Sequence, residues 1–269
     1  LADVLYGVVN PSGRLAESIP LRLTDNPSFL NFPGEQGHVR YGEGVMVGYR
    51  YYETVDAPVR YPFGHGLSYT TFTTTDLAVT AGADTATAAV TVTNTGTRAG
   101  KHVVQVYVAT DAGPVRRPAR ELRAFTKVAL APGESRRVEL ALDRRAFAYN
   151  DVELARWVVA PGTYTIHIGH SAREIAASET ITLTGDEIVR PVSLESTVGD
   201  WFAHPVVGPV ILEKVLAGMG DQAEQAQNDP DVMRMLAAFT MRQFANFLAT
   251  AGNPIPLEVL EDLARASAG

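Results

Sequence analysis

The sequence predicts a mainly β fold: an antiparallel β-sandwich followed by an α-helical tail. Three observations carry this. From Tyr69 onward apolar and polar residues alternate with period two. Ala86, Ala88, Val90 and Val92 stand out of phase with Thr85, Thr87, Thr91 and Thr93, and Val104, Val106 and Val108 with Gln105 and Tyr107. One apolar and one polar face is the signature of a half-buried antiparallel strand. Turn clusters punctuate these runs at Asn94-Thr95-Gly96, Asp111-Ala112-Gly113-Pro114, Ala131-Pro132-Gly133 and Pro161-Gly162. After Pro191 the period changes: Met233, Leu236, Ala237, Thr240, Phe244, Phe247 and Leu248 recur at helical spacing.

The elements follow in order. Residues 1–9 (LADVLYGVV) read as a short apolar helix closed by the turn NPSG, with RLAESIP as a brief strand after it. Such a helix would expose Leu1, Val4, Leu5 and Val8, so it is expected to pack on a partner surface or to be disordered. Residues 21–68 are rich in Gly, Pro, Asn and aromatics without a sustained period, which reads as an irregular connecting segment. About seven short strands are expected between 69 and 185, including Val138-Leu140-Leu142 and Tyr164-Ile166-Ile168. In the tail, Pro209 and Pro230 suit first-turn positions, Asp229 suits the cap, Gly252 a stop, and LEVLEDLARA a last helix. The apolar stripe at 232–248 must be covered, by the sandwich or by another domain.

Composition narrows the function classes. The 269 residues carry a net charge of −7 and no cysteine. An acidic chain argues against a nucleic-acid partner. Without cysteine there is neither a disulfide framework nor a thiolate metal site, which suits a reducing, cytoplasmic setting. No run of 18 apolar residues suggests a membrane span. The chain opens on Leu1 in what reads as the middle of a helix, so a fragment is expected.

Candidate chemistry is sparse. Gly42, Gly44 and Gly48 nearly match a dinucleotide fingerprint, but the third glycine comes one residue late and no βαβ unit follows. Gly169-His170-Ser171 resembles the start of a nucleophile elbow, yet Arg173 stands at the closing glycine, so an exposed loop end is expected. The six histidines are scattered, His102 alone on a strand and His167 and His170 on opposite faces; no metal or cofactor is expected. The methionines of the tail (219, 233, 235 and 241) read as helix core. Glycosidic chemistry needs two carboxyl groups about 5 to 10 Å apart. Glu43 and Glu53 lie in an aromatic-rich segment, but Glu43 equally fits a structural carboxylate paired with Arg40 or Arg50.

Six stretches in order carry a resemblance: ADVLYGVVNPSGRL (2–15), YGEGVMVGYRYY (41–52), PFGHGLSYTTF (62–72), VTVTNTGTRAGKHVVQVYV (90–108), RELRAFTKVALAPGES (120–135) and VVAPGTYTIHIGHS (158–171). Together they resemble the C-terminal part of glycoside hydrolase family 3 β-glucosidases, the last three looking like that family's fibronectin type III-like domain. The resemblance implies a barrel, an α/β sandwich, then this β-sandwich. Here it implies the last helix and strand of the α/β sandwich (1–28), a connecting segment (29–68), the fibronectin type III-like domain (69–185), and a linker with a helical tail (186–269).

The family's retaining mechanism uses an aspartate on the barrel and a glutamate in the α/β sandwich. Asp200-Trp201 echoes the aspartate motif in the wrong context. Glu43-Gly44 is followed by Tyr49-Arg50 instead of Asp-Arg. No catalytic residue is therefore assigned. Tyr41, Glu43 and Arg50 are candidates for a substrate-binding border of the active site. Gly42, Gly44 and Gly48 would allow positive φ, Phe63 and Leu67 would anchor the first strand, and His65 would hydrogen-bond at the junction. The expected function is a non-catalytic C-terminal part of a β-glucosidase, whose complete form takes a β-glucoside or oligosaccharide and adds the missing barrel and α/β sandwich. The alternative is a carbohydrate-binding or dimerisation module, with a homodimer contact on the apolar stripe. The few strand aromatics (Tyr107, Phe125, Tyr149, Trp157, Tyr164) fall mostly on core-like positions.

Overall fold

The computed structural model describes residues 1–219 and 230–267. The chain divides into two compact units, 1–186 and 187–269. In the first, α1 (Ala2–Leu5) leads to β1 (Ile19–Pro20), which pairs with β2 (Val59–Tyr61) beyond a second helix, α2 (Tyr49–Thr54). Seven strands then build the sandwich: β3 (Phe72–Ala81), β4 (Ala86–Asn94), β5 (Gly100–Ala109), β6 (Glu121–Leu130), β7 (Ser135–Leu142), β10 (Gly162–Gly169) and β11 (Ile175–Leu183). One sheet has the order β11-β10-β5-β6 and the other β3-β4-β7, all pairs antiparallel. Helix α3 (Arg144–Phe147) and the hairpin β8 (Tyr149–Asp151) and β9 (Arg156–Val158) lie between β7 and β10.

The core is what the alternation requires. Ala86, Ala88, Val90 and Val92 of one sheet meet Val104, Val106, Val108, Tyr164, Ile166 and Ile168 of the other in one buried cluster. Each buried valine or isoleucine among them contributes roughly 1.5–3 kcal/mol through removal from water. The opposite face of β5 departs from expectation. Residues 102–108 are all buried, including Gln105 and Tyr107. The period-two pattern assigns those two to a wet face, but another part of the chain covers it.

That cover is the connecting segment, which is less irregular than read. Gly48 takes φ +56 and ψ −136, a combination essentially confined to glycine, and so starts α2. Tyr49 of this helix stacks on Phe63 at 4.4 Å and meets Tyr107 edge-on at 6.2 Å. Leu67, read as an anchor, is exposed instead; Asn10 holds the start of the sandwich, its Oδ1 accepting from Tyr69 N at 2.7 Å. Of the three glycines near residue 45, Gly44 and Gly48 have positive φ and Gly42 does not. In α1 and the residues that flank it, Leu1, Leu5 and Val8 are largely exposed.

In the second unit, α4 (Val198–Ala203), α5 (Gly208–Met219), α6 (Pro230–Ala237), α7 (Met241–Thr250) and α8 (Leu257–Ser267) surround a core containing Trp201, Ile211, Phe244 and Leu260. The stripe read as one helix through 248 is broken. Thr240 is an N-cap, its hydroxyl accepting from Gln243 N at 3.2 Å while Gln243 Oε1 accepts from Thr240 N at 3.1 Å. A Thr-x-x-Gln capping box outweighs continued periodicity because it satisfies two otherwise orphaned donors. Asp200 makes the same box with Thr197, and the neighbouring Trp201 is fully buried with Nε1 donating to Ser193 O. The cap read for Asp229 and the side chains of Met219 and Met233 lie outside the described residues.

Candidate functional site

The connecting segment is welded to the outer face of the four-stranded sheet through side chains that sequence spacing does not connect. Gln105 Nε2 donates to Gly64 O at 3.1 Å and His170 O at 2.8 Å, and its Oε1 accepts from Tyr107 Oη at 2.6 Å. Ala172 N donates to Phe63 O, and Leu15 exchanges backbone bonds with Gly64 and His65. Burial is the main cause that pushes the Tyr107 phenol well above its ordinary range.

At one edge of this weld lies a charge cluster. The Glu121 carboxylate, only 11% exposed, faces Arg123 Nη2 at 2.6 Å, Arg50 Nε at 3.2 Å and Arg117 Nη2 at 3.4 Å. Arg50 thus bridges α2 to β6. Nearby, Glu53 pairs with Arg173 at 3.2 Å. These ion pairs tie 50–53 to the sandwich at positions far away in sequence.

A third contact zone is imidazole-based. His102 is buried against Phe72, with ring centres 4.8 Å apart, and meets His170 edge-on at 5.1 Å. Arg14 Nη2 lies 3.5 Å from His102 Nδ1. Arginine can only donate, so Nδ1 accepts and Nε2 carries the proton. Burial, then His170, then Arg14 push the His102 pKa down to about 4. Burial likewise lowers His170. An unfolded histidine titrates near 6.5. Between about 6.5 and about 4 the unfolded chain therefore binds more protons, and stability falls as pH falls. Going from about pH 7 to about pH 4.5 should cost the first unit about 2 kcal/mol through this residue. Urea unfolding of wild type and His102→Phe at both pH values checks it: the pH dependence should shrink by that amount in the variant.

The three candidate border residues do not converge. Tyr41 is 85% exposed. Arg50 faces Glu121. Glu43 lines a cleft of about 440 Å³ with Asn31, Met46, Tyr51, Val55 and Arg116. Its Oε1 accepts from Asn31 Nδ2 at 3.2 Å, so Asn31 replaces the arginine partner expected from spacing. Gly169-His170-Ser171 is no exposed loop end: Ser171 is buried and its Oγ accepts from Glu174 N at 3.0 Å. Of the strand aromatics, Tyr107, Tyr149 and Tyr164 are buried, while Phe125 and Trp157 are exposed and the Arg145 guanidinium sits 3.3 Å from the Trp157 ring centre. The residues missed by sequence reasoning are Asn31, Arg116 and Glu121. The dense run VRRPARELR (115–123) was the available signal.

The fold defines an antiparallel β-sandwich of the fibronectin type III-like kind, with the segment that precedes it packed on the outer face of one sheet. Residues 102–172 match the fibronectin type III-like domain and residues 1–69 match the glycosyl hydrolase family 3 C-terminal domain. The chain belongs to glycoside hydrolase family 3, of which it carries these two consecutive parts. It is 43% identical over 99% of its length to an exo-α-(1→6)-L-arabinopyranosidase of Bifidobacterium breve, covering 35% of that protein. It is 45% identical over 79% of its length to thermostable β-glucosidase B of Acetivibrio thermocellus, covering 29% of it. The crystal structure of the Bifidobacterium adolescentis family 3 β-glucosidase superposes with a TM-score of 0.74 at 49% identity, over 78% of this chain and 32% of that one. The chain thus spans about a third of the length of these relatives.

Proposed function

We propose that this chain is the non-catalytic C-terminal part of a retaining β-glucosidase acting on terminal β-D-glucosyl residues, and that its first unit supports the packing of the catalytic domains and borders their active site. The observation that carries this is the apolar surface of the first 41 residues. Leu1, Leu5, Tyr6, Val8, Leu23, Leu30, Phe32 and Tyr41 are each more than two-thirds exposed. Isolated exposed apolar residues are ordinary, but so many in one short stretch mark a surface made to be covered. In a chain spanning about a third of its relatives, the natural cover is the rest of such an enzyme. The rigid weld of 49–65 to the sandwich then fixes where residues 29–47 present themselves. Tyr41, Glu43 and Arg50 remain the proposed border residues.

A second substrate reading has its own support: the relative matched over 99% of this chain is named for α-L-arabinopyranoside cleavage. The test is an assay of the 269-residue chain on aryl β-D-glucoside and aryl α-L-arabinopyranoside. No turnover is expected on either. Turnover that survives purification and disappears in Glu43→Gln would overturn the non-catalytic reading.

A further inference from the structure

The cleft around Glu43 keeps polar capacity that the fold does not use. Glu43 is half-buried, and of its two oxygens Oε1 accepts from Asn31. Arg116 lines the same cleft and has no hydrogen-bond or ion-pair partner among the described residues. The Tyr51 ring packs edge-on against Tyr52 at 5.4 Å, and its hydroxyl likewise has no hydrogen-bond partner among the described residues. A carboxylate and a guanidinium that share a cleft for structural reasons pair with each other, as Glu121 and Arg123 do at 2.6 Å. Here the two stay apart, each with donors or acceptors to spare. Their charges cancel, which disfavours an anionic or cationic occupant. Met46 and Val55 add apolar surface beside the polar groups. A volume of about 440 Å³ lies within the range of small-molecule sites, in which an apolar wall and a few placed polar groups fix orientation.

We propose that this cleft is a sugar subsite for a neutral pyranose ring. The Glu43 carboxylate accepts from ring hydroxyls, Arg116 and the Tyr51 hydroxyl donate to hydroxyl oxygens, Asn31 holds Glu43 in place, and Met46 and Val55 meet a C–H face. The assignment rests on the reading of this segment as bordering carbohydrate, and it adds Arg116 to the border residues.

The test is an amide NMR titration of the 269-residue chain with methyl β-D-glucoside. Saturable shifts are expected at Asn31, at 42–46 and at Arg116. Charged hydrogen-bond groups are worth enough that Arg116→Ala and Glu43→Gln should each weaken binding about tenfold. Arg116 is exposed, so its variant should keep the amide dispersion of the folded chain. Absence of saturable shifts at the cleft, or shifts unchanged in both variants, overturns the subsite. Equal shifts with sodium sulfate overturn it in favour of an anion site. Turnover measured on the same samples separates the two readings: hydrolysis sinks the non-catalytic proposal alone, whereas missing shifts without hydrolysis sink only the subsite.

Discussion

Replacing Glu121 by glutamine should lower the stability of the first unit by about 3 kcal/mol. The carboxylate is 11% exposed and is the shared partner of Arg50, Arg117 and Arg123. Arg117 is itself only 6% exposed. Removing the anion leaves three guanidiniums crowded around a neutral amide in a poorly solvated place. Their mutual repulsion is then uncompensated, and the cost is that of stranding buried charge, not merely of losing one favourable pair. The glutamine retains volume and an acceptor oxygen, so packing changes little. Hydrogen exchange at the buried β5 amides, which report global opening of this unit, is the measurement. Protection should fall by about a hundredfold, the equivalent of about 3 kcal/mol. A double variant, Glu121→Gln with Arg123→Met, should recover part of the loss; no recovery would show that charge is not the cause.

The second large effect is expected at Gly64. This residue has φ +81, and a Cβ there would lie 2.0 Å from Gln105 Oε1 and 2.8 Å from its Cδ. Gln105 cannot yield without losing its bonds to Gly64 O, His170 O and Tyr107 Oη, all in a buried place. An alanine in the left-handed region costs about 1 kcal/mol, and orphaned buried polar groups cost about 1–3 kcal/mol more. Gly64→Ala should therefore destabilise the first unit by about 3 kcal/mol. It should also free the connecting segment, raising exchange at residues 49–65 before it does so in β5. Combining Gly64→Ala with Gln105→Ala removes the clash, so the double variant should lose less than the sum of the two single changes. An additive loss would mean that the contact is not what fixes Gly64.

Much of this molecule was readable from its residues. The inward faces of β4, β5, β7 and β10 are the apolar phases of their alternation, because a side chain on one face of a strand has no choice but to recur every second position. The turn clusters fell between strands for a similarly local reason: glycine and proline permit backbone angles that strands do not. The ordered family motifs pointed to the same two parts that residues 1–69 and 102–172 match. The Thr240 capping box is also written in the sequence as Thr-x-x-Gln, but the helical stripe that runs through it masks the break.

The candidate site was less readable, since it is made of distant partners. Glu43 finds Asn31, not the nearby Arg40 or Arg50. Arg50 crosses to Glu121, and Arg14 reaches His102. Such pairings depend on how a segment without regular period lies on a sheet, and no local rule states that. The sequence by itself determined the strands, their buried faces and the family to which they belong, because these follow from short-range periodicity and ordered motifs. Only the tertiary structure decided that Gln105 and Tyr107 are buried, that Gly64 must lack a side chain and that Glu43 shares a cleft with Arg116. Each of these follows from where the connecting segment comes to rest, and that is set by the sum of many weak contacts between residues far apart in the chain.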